Sequence, residues 1–296
     1  MKMDLVKGVI VIIGVLSIFI GPKEASFTFS LEAEEAKPFD HSHSIYDSLL
    51  KKYVKNGRVD YKGFKASAEE FNAYLRNLGS VSESDYSKWS REEKLSFWIN
   101  AYNTFTIKAI IDYYPIKGSV FSIYPRNSIR QIDGVWDKLQ FRAVGKTVTL
   151  EEIEHEILRK QFNEPRIHFA IVCASLGCPD LRSETYKADI INEQLENAAI
   201  EFINNTQKGV RIDPADNVVK ISKIFKWFGE DFIDGFGNTQ SFNDRDTKDR
   251  VVFNFVTNHL KSDKQKAFLE NDQFKISYLD YDWSLNELSD QNFSAF

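Results

Sequence analysis

The stretch 91–114 is apolar around most of its helical circumference, and a helix of that kind must lie inside a protein. Ser90 and Glu93 form the pair of a capping box at its start, and Pro115 stops it. Everything else in the chain must therefore supply layers around it. The material is there: 43% of the 296 residues are hydrophobic, and 24 Phe, 12 Tyr and 5 Trp outnumber 2 Met. The core is built largely from aromatic rings.

The remaining segments alternate between helical and extended patterns. Ile45, Leu49, Leu50 and Val54 predict an amphipathic helix ended by Asn56-Gly57. Ser67 with Glu70 reads as a capping box before Phe71, Leu75 and Leu78, with Gly79 closing that helix. Thr149 with Glu152 caps a helix reaching about Gln161, and helical spacing returns over 190–203 and 247–260. Gly145-Lys146 and the turn 214–217 each sit between strand-like runs, which predicts two hairpins, and 274–279 reads as a last strand. There is no βαβ repeat. The expectation is α+β: one domain over 44–296, its central buried helix packed against a mixed or antiparallel sheet and hairpins.

In front of that domain, Lys2 and Lys7 precede an apolar run from Gly8 to Ile20, followed by small and polar residues to Ser30. This describes a secretory signal peptide, with Thr28 and Ser30 at a tolerable cleavage site. The run is short for a membrane span of roughly 20 residues, and an uncleaved N-terminal anchor is the alternative. The expectation is export, to the periplasm or cell envelope. Residues 31–43 are polar and acidic and read as a tether. A net charge of −5, from 38 basic and 43 acidic side chains, argues against nucleic acid. A small molecule, peptide or glycan is the ligand class left.

Both cysteines fall in one run, Cys173 to Cys178. The residues from Ile167 to Cys173 are almost unbroken in apolar character and read as a strand covered on both faces; Ala174, Ser175, Gly177 and Pro179 then force a turn. On a strand, Cys173 would share a face with Ile167, Phe169 and Ile171, while His168 pointed away. His168 is then no immediate base for Cys173 without a bulge, and His155 is the alternative. Ser175 has small residues two before and two after it, as in a nucleophile elbow, although Pro179 interrupts the helix that should follow. The two thiols can equally form a short-loop disulfide. Their spacing matches neither a redox pair nor a zinc site, and no cofactor or metal is implied.

Two helices add polar groups. Glu93, Ser96, Asn100, Asn103 and Thr104 form a narrow stripe on the central helix, so the two asparagines either pin neighbouring loops or serve a reaction. Glu154 falls inside the apolar face set by Leu150, Ile153, Ile157 and Leu158, where a carboxylate needs a partner, an arginine in the simplest case. His155 lies on the flank of that helix, between Glu151 and Arg159.

LSFWINAYNTF at 95–105, Ile153-Glu-His within 150–159, and RIHFAIVCASLGCPDLR at 166–182 resemble the domain of unknown function 547 family. SKIFKWFGEDF at 222–232 and YLDYDWSLN at 278–286 extend the resemblance over roughly 45–288. It implies functional weight at Asn100, Asn103, Glu154, His155, His168, Cys173, Ser175 and Asp231. Cys178 matches the family's bacterial members, whereas plant members tend to carry serine there. No substrate or cofactor follows from the resemblance. The expectation is a pocket shared by an asparagine of the central helix, Glu154 or His155, and the Cys173/Ser175 turn. Its chemistry would be thiol-dependent acyl transfer, by a hydrolase or a transglutaminase-like enzyme. Cys173 is the nucleophile, His155 or His168 the base, and Asn100 or Asn103 the orienting or oxyanion group. The alternatives are a non-catalytic periplasmic or surface binding module and a redox protein using Cys173 with Cys178.

Overall fold

The computed structural model describes residues 38–236 and 241–288, and its compact unit begins at Phe39. The expected signal peptide lies outside the described residues. The segment read as the end of the tether packs into the domain: Phe39 meets the rings of Trp89 and Phe97, and the buried His43 bonds Tyr74 Oη through Nδ1 at 2.6 Å. Its aromatic and imidazole rings outweigh the polar composition that suggested a linker.

Helix α1 (Ser44–Tyr53) leads into a hairpin of β1 (Val54–Lys55) and β2 (Arg58–Val59). Helices α2 (Tyr61–Ala66), α3 (Ala68–Ser80) and α4 (Glu83–Lys88) then precede the long α5 (Arg91–Tyr113). Asn56-Gly57 is the turn of that hairpin, not a helix cap: φ is +48° at Asn56 and +74° at Gly57, as a two-residue hairpin turn requires. A second hairpin pairs β3 (Phe141–Ala143) with β4 (Lys146–Val148). A π helix follows over Glu152–Arg159 and ends in the short α6 (Lys160–Phe162). Helix α7 (Ile191–Ile203) precedes the hairpin of β5 (Val210–Asp213) and β6 (Val218–Ile221). Helices α8 (Lys223–Phe228), α9 (Ile233–Phe236), α10 (Thr247–His259) and α11 (Asp263–Glu270) complete the helical layer. The last strand, β7 (Lys275–Tyr278), adds parallel to β6 and makes a mixed three-stranded sheet. The architecture is α+β in a single domain.

The long helix behaves as its composition requires. Its middle, from Leu95 to Ile107, is buried without a break. Ser90 and Glu93 close the capping box, with Ser90 Oγ accepting from Glu93 N at 3.1 Å and Glu93 Oε2 from Ser90 N at 2.7 Å. Helices α2 and the π helix flank α5, and Phe105 stacks on Phe141 of the hairpin at 4.7 Å. The capping box expected at Ser67 does not form: Ser67 Oγ bonds Tyr53 Oη at 2.7 Å and leaves its own helix uncapped.

Apolar side chains gather into two clusters. One surrounds α5; the other lies between α7, α10 and the three-stranded sheet. The segment that joins them, whose apolar run predicts a strand, is instead a 3₁₀ helix, Pro165–Phe169, followed by irregular backbone. Phe169 belongs to the second cluster, while Ile167, Ala170 and Ile171 belong to the first. An apolar run buried on all sides has no period to report, and length alone does not separate a strand from a short helix. Among the described residues, no helix is long and apolar enough to cross a membrane.

Candidate active site

Replacing the strand by a 3₁₀ helix changes which side chains meet. Strand alternation would have sent His168 and Cys173 to opposite faces; in the structure both line one cleft of about 490 Å³. Glu154 and His155 of the π helix line it too, with Arg130, Trp136, Trp227, Tyr281 and Trp283 forming an aromatic wall around a single guanidinium.

Two clamps hold the cysteine turn. From behind, Asn103 binds its backbone: Nδ2 donates to Ala170 O at 3.0 Å, and Oδ1 accepts from Val172 N at 2.8 Å. Asn100, one turn earlier, makes the same kind of pair with a different segment, donating to Tyr186 O at 2.8 Å and accepting from Tyr186 N at 3.0 Å. Both amides are spent on these pairs and neither lines the cleft, so they act as positioning groups. From the front, the segment 282–286 pairs with the turn through Leu176 N to Ser284 O and Gly177 N to Asp282 O, each 2.8 Å. Gly177 permits this approach, since a Cβ there would sit 2.9 Å from Asp282 N and 3.0 Å from the Tyr281 ring. The segment thereby carries Tyr281 onto the thiols.

Cys173 Sγ lies 3.1 Å from Ser175 Oγ and 3.2 Å from Tyr281 Oη, and its backbone N–H donates to Cys178 Sγ at 3.0 Å. Both cysteines are free. A hydrogen bond from the Cys178 thiol stabilises a Cys173 thiolate against the cost of burial. Ser175 and Tyr281 add to that stabilisation, and the thiol is lowered to about 7. Cys178 moves the opposite way: burial and the neighbouring Cys173 push it well above the ordinary thiol range. Tyr281 is likewise held protonated, by burial first and by the cysteines second. Ser175 is a buried turn residue off the cleft wall, and its hydroxyl, 3.1 Å from the sulfur, donates to Tyr281 Oη at 3.2 Å.

The second cluster is ionic. Asp231 accepts two hydrogen bonds from Arg159, at 2.6 and 2.7 Å, and one from His168 Nε2 at 2.7 Å. Burial opposes its ionisation, but these bonds outweigh burial and hold its carboxyl far below the usual range. An ionised Asp231 accepts only, so His168 carries its proton on Nε2 and leaves Nδ1 as the basic nitrogen. Phe228 stacks on the imidazole at 4.2 Å and fixes its plane. Arg159 also donates from Nη1 to His155 Nδ1 at 2.7 Å. A guanidinium only donates, so neutral His155 has its proton on Nε2 and suits a donor better than a base. Glu154 is buried as expected, but its partner is Tyr102, whose hydroxyl donates to Oε2 at 3.0 Å, and not an arginine. Burial, with Glu154 beside it, keeps that phenol protonated.

The π geometry over Glu152–Arg159 belongs to this arrangement. A π helix is rare and often marks a functional site. Here Glu154 and His155 both line the cleft while Ile153, Ile157 and Leu158 stay buried. The Thr149–Glu152 capping box forms at its entrance, at 2.8 and 3.1 Å. Sequence periodicity marked a helix here but not its winding. Arg130, Trp136, Trp227, Tyr281 and Trp283 were not singled out from sequence either. The blocks 222–232 and 278–286 carry Trp227, Tyr281 and Trp283, but no spacing connects either to the cysteine turn. Among the described residues, no three His, Cys, Asp or Glu side chains gather as metal ligands.

No curated protein and no solved structure matches the chain. Residues 86–203, which span α5, the π helix and the cysteine turn, match the model of the family described as "Protein of unknown function, DUF547". Over that segment the chain is similar to the DUF547 family.

Proposed function

We propose that the protein is a thiol-dependent acyl-transfer enzyme with Cys173 as nucleophile and His168, oriented by Asp231, as base. The observation that carries this reading is Cys173, hydrogen-bonded to Ser175 and Tyr281, on the wall of a cleft that His168, itself bonded to Asp231, also lines. A thiol whose ionisation is eased by neighbouring hydrogen bonds attacks a carbonyl without needing a strong base beside it. In the first half-reaction His168 Nδ1 takes the Cys173 proton, Sγ bonds to the acyl carbon, and the bond from that carbon to the leaving nitrogen or oxygen breaks as His168 passes the same proton to it, so a thioester and neutral His168 remain. Water or an amine then attacks the thioester, His168 accepts its proton, and the thiolate is regenerated. Hydrolase and transglutaminase-like outcomes differ only in that second nucleophile. Asn100 and Asn103, whose amides face backbone, position the site and do not hold the oxyanion.

Alkylation by a neutral electrophile such as iodoacetamide, followed across pH with mass-spectrometric assignment, tests the reading. Cys173 should react in the folded protein with a midpoint near 7, while Cys178 stays silent until unfolding. Tyr281→Phe removes a stabilising bond and should move the midpoint toward an ordinary thiol, near 8.5. Labelling of Cys173 only on unfolding would replace the enzyme by a binding module. A stable Cys173–Cys178 disulfide in the active protein would replace it by a redox device.

The basic, apolar and small-residue order of the first thirty residues supports export as part of the same proposal. Cell fractionation with N-terminal sequencing should find the domain outside the cytoplasm. A cytoplasmic protein that keeps Met1 would refute export.

A further inference from the structure

Arg130 has no role in the chemistry described so far, yet it is the most elaborately held cation on the cleft wall. It sits on a short 3₁₀ turn, Ile129–Gln131, whose Ile129 is fully buried and whose Ser128 caps it. The guanidinium carbon lies 4.2 Å from the ring centre of Trp283, 4.7 Å from Trp136 and 5.3 Å from Tyr124. Three rings thus orient the guanidinium by cation–π contact. What they do not supply is an anion: among the described residues no carboxylate lies within ion-pair distance of Arg130, although the residue is exposed. By contrast Arg159, Arg166, Arg182 and Arg245 all have carboxylate partners.

We infer that Arg130 is a carboxylate-binding subsite and that the acyl substrate is peptide-like and carries one free carboxylate. A planar, pre-oriented fork with open edge donors matches a carboxylate in two parallel hydrogen bonds. The path from this subsite to the thiol is continuous. Trp283 packs on Tyr281 at 4.6 Å between ring centres, and Tyr281 Oη lies 3.2 Å from Cys173 Sγ. A ligand lying along those two rings, with Trp227 against both, would reach from the guanidinium to the sulfur. The opposing charges matter equally. Asp137, Glu151 and Glu154 line the same cleft and repel a second anionic group, which limits the ligand to one carboxylate. The inference rests on the acyl-transfer reading for the reacting carbonyl, but the subsite itself does not require Cys173 to react.

Tryptophan fluorescence of the full chain reports on the wall directly, because Trp136 and Trp283 flank Arg130. The probes are N-acetyl-glycyl-glycyl-phenylalanine and its C-terminal amide. The free acid should bind at least about tenfold more tightly than the amide, as expected for a charged bidentate pair. Arg130→Gln should bring that ratio to about one, and Arg130→Lys should retain part of it, since it keeps charge and loses the fork. A thermal melt identifies a variant that fails to fold, and the wild-type ratio then decides alone. Equal binding of acid and amide, or binding of neither, overturns the subsite. N-iodoacetyl versions of the same peptides separate this from failure of the parent reading. A carboxylate preference in binding with an inert Cys173 removes acyl transfer and leaves the subsite. A reactive Cys173 with no carboxylate preference does the reverse.

Discussion

Phe169→Ala is expected to lower the unfolding free energy by about 3–5 kcal/mol, the range for deleting a fully buried aromatic ring. Phe169 is 1% exposed and lies among Phe202, Phe225, Phe232 and Phe255, with ring centres 5.3 to 6.2 Å away. Those rings come from four elements, so no single side chain can shift to fill the space. Its neighbours Ile167, Ala170 and Ile171 belong to the other cluster, which makes this ring the contact through which the 3₁₀ segment holds the two together. His168 is the adjacent residue, so loosening Phe169 should also slow alkylation of Cys173 or spread its pH dependence. Urea denaturation measures the first effect. A cost below about 1 kcal/mol would mean that the ring is not an anchor, and Phe169→Leu, which keeps most of the volume, should cost markedly less than Ala.

Asp231→Asn should cost about 2 kcal/mol at neutral pH. Removing one partner from a fully buried ion pair costs about 3–5 kcal/mol, and the 21% exposure of this side chain reduces that. The substitution keeps the shape but removes the charge that Arg159 and His168 both address. The pH dependence has a definite sign. Asp231 is held far below its unfolded value of about 3.9, so its stabilisation is complete above that value and disappears as pH falls toward the folded one. The gap between wild type and variant should therefore be widest near pH 7 and close as pH drops below about 4. A gap that stays constant from pH 7 to pH 3 would show that Asp231 acts by packing and not by charge. Since an amide can turn its NH₂ toward His168, the variant should also lose the fixed His168 tautomer and with it the reactivity of any thioester-forming step.

Short-range signals in the chain predict its structure where one physical cause acts locally. The Ser90–Glu93 and Thr149–Glu152 boxes form because each needs only a turn of helix. The hairpin of β5 and β6 forms where the extended runs and their turn placed it. Ser67–Glu70 has the same pattern and fails, because Tyr53 reaches Ser67 first, a competitor fourteen residues away that no local pattern reveals. The 167–173 run fails for a different reason. Burial on every side erases the alternation that separates strand from helix, so the apolar content was legible and the conformation was not.

The candidate site divides along the same line. Residue chemistry alone marked Cys173, His168, Glu154 and His155 as the side chains to watch, and all four line one cleft. Composition alone required α5 to be central, because an all-apolar helix is stable only when covered. Tertiary structure decided the partners. It gave Glu154 a tyrosine in place of an arginine, turned Asn100 and Asn103 toward backbone, and placed Asp231 on His168 across more than sixty residues. It also carried Tyr281 and Trp283 onto the cysteine turn through the pairing at Gly177, and set an otherwise unremarked Arg130 among three rings. Burial preference is a property of each side chain and can be read one residue at a time. Who pairs with whom depends on which distant groups the chain delivers to the same few ångströms, and only the folded backbone specifies that.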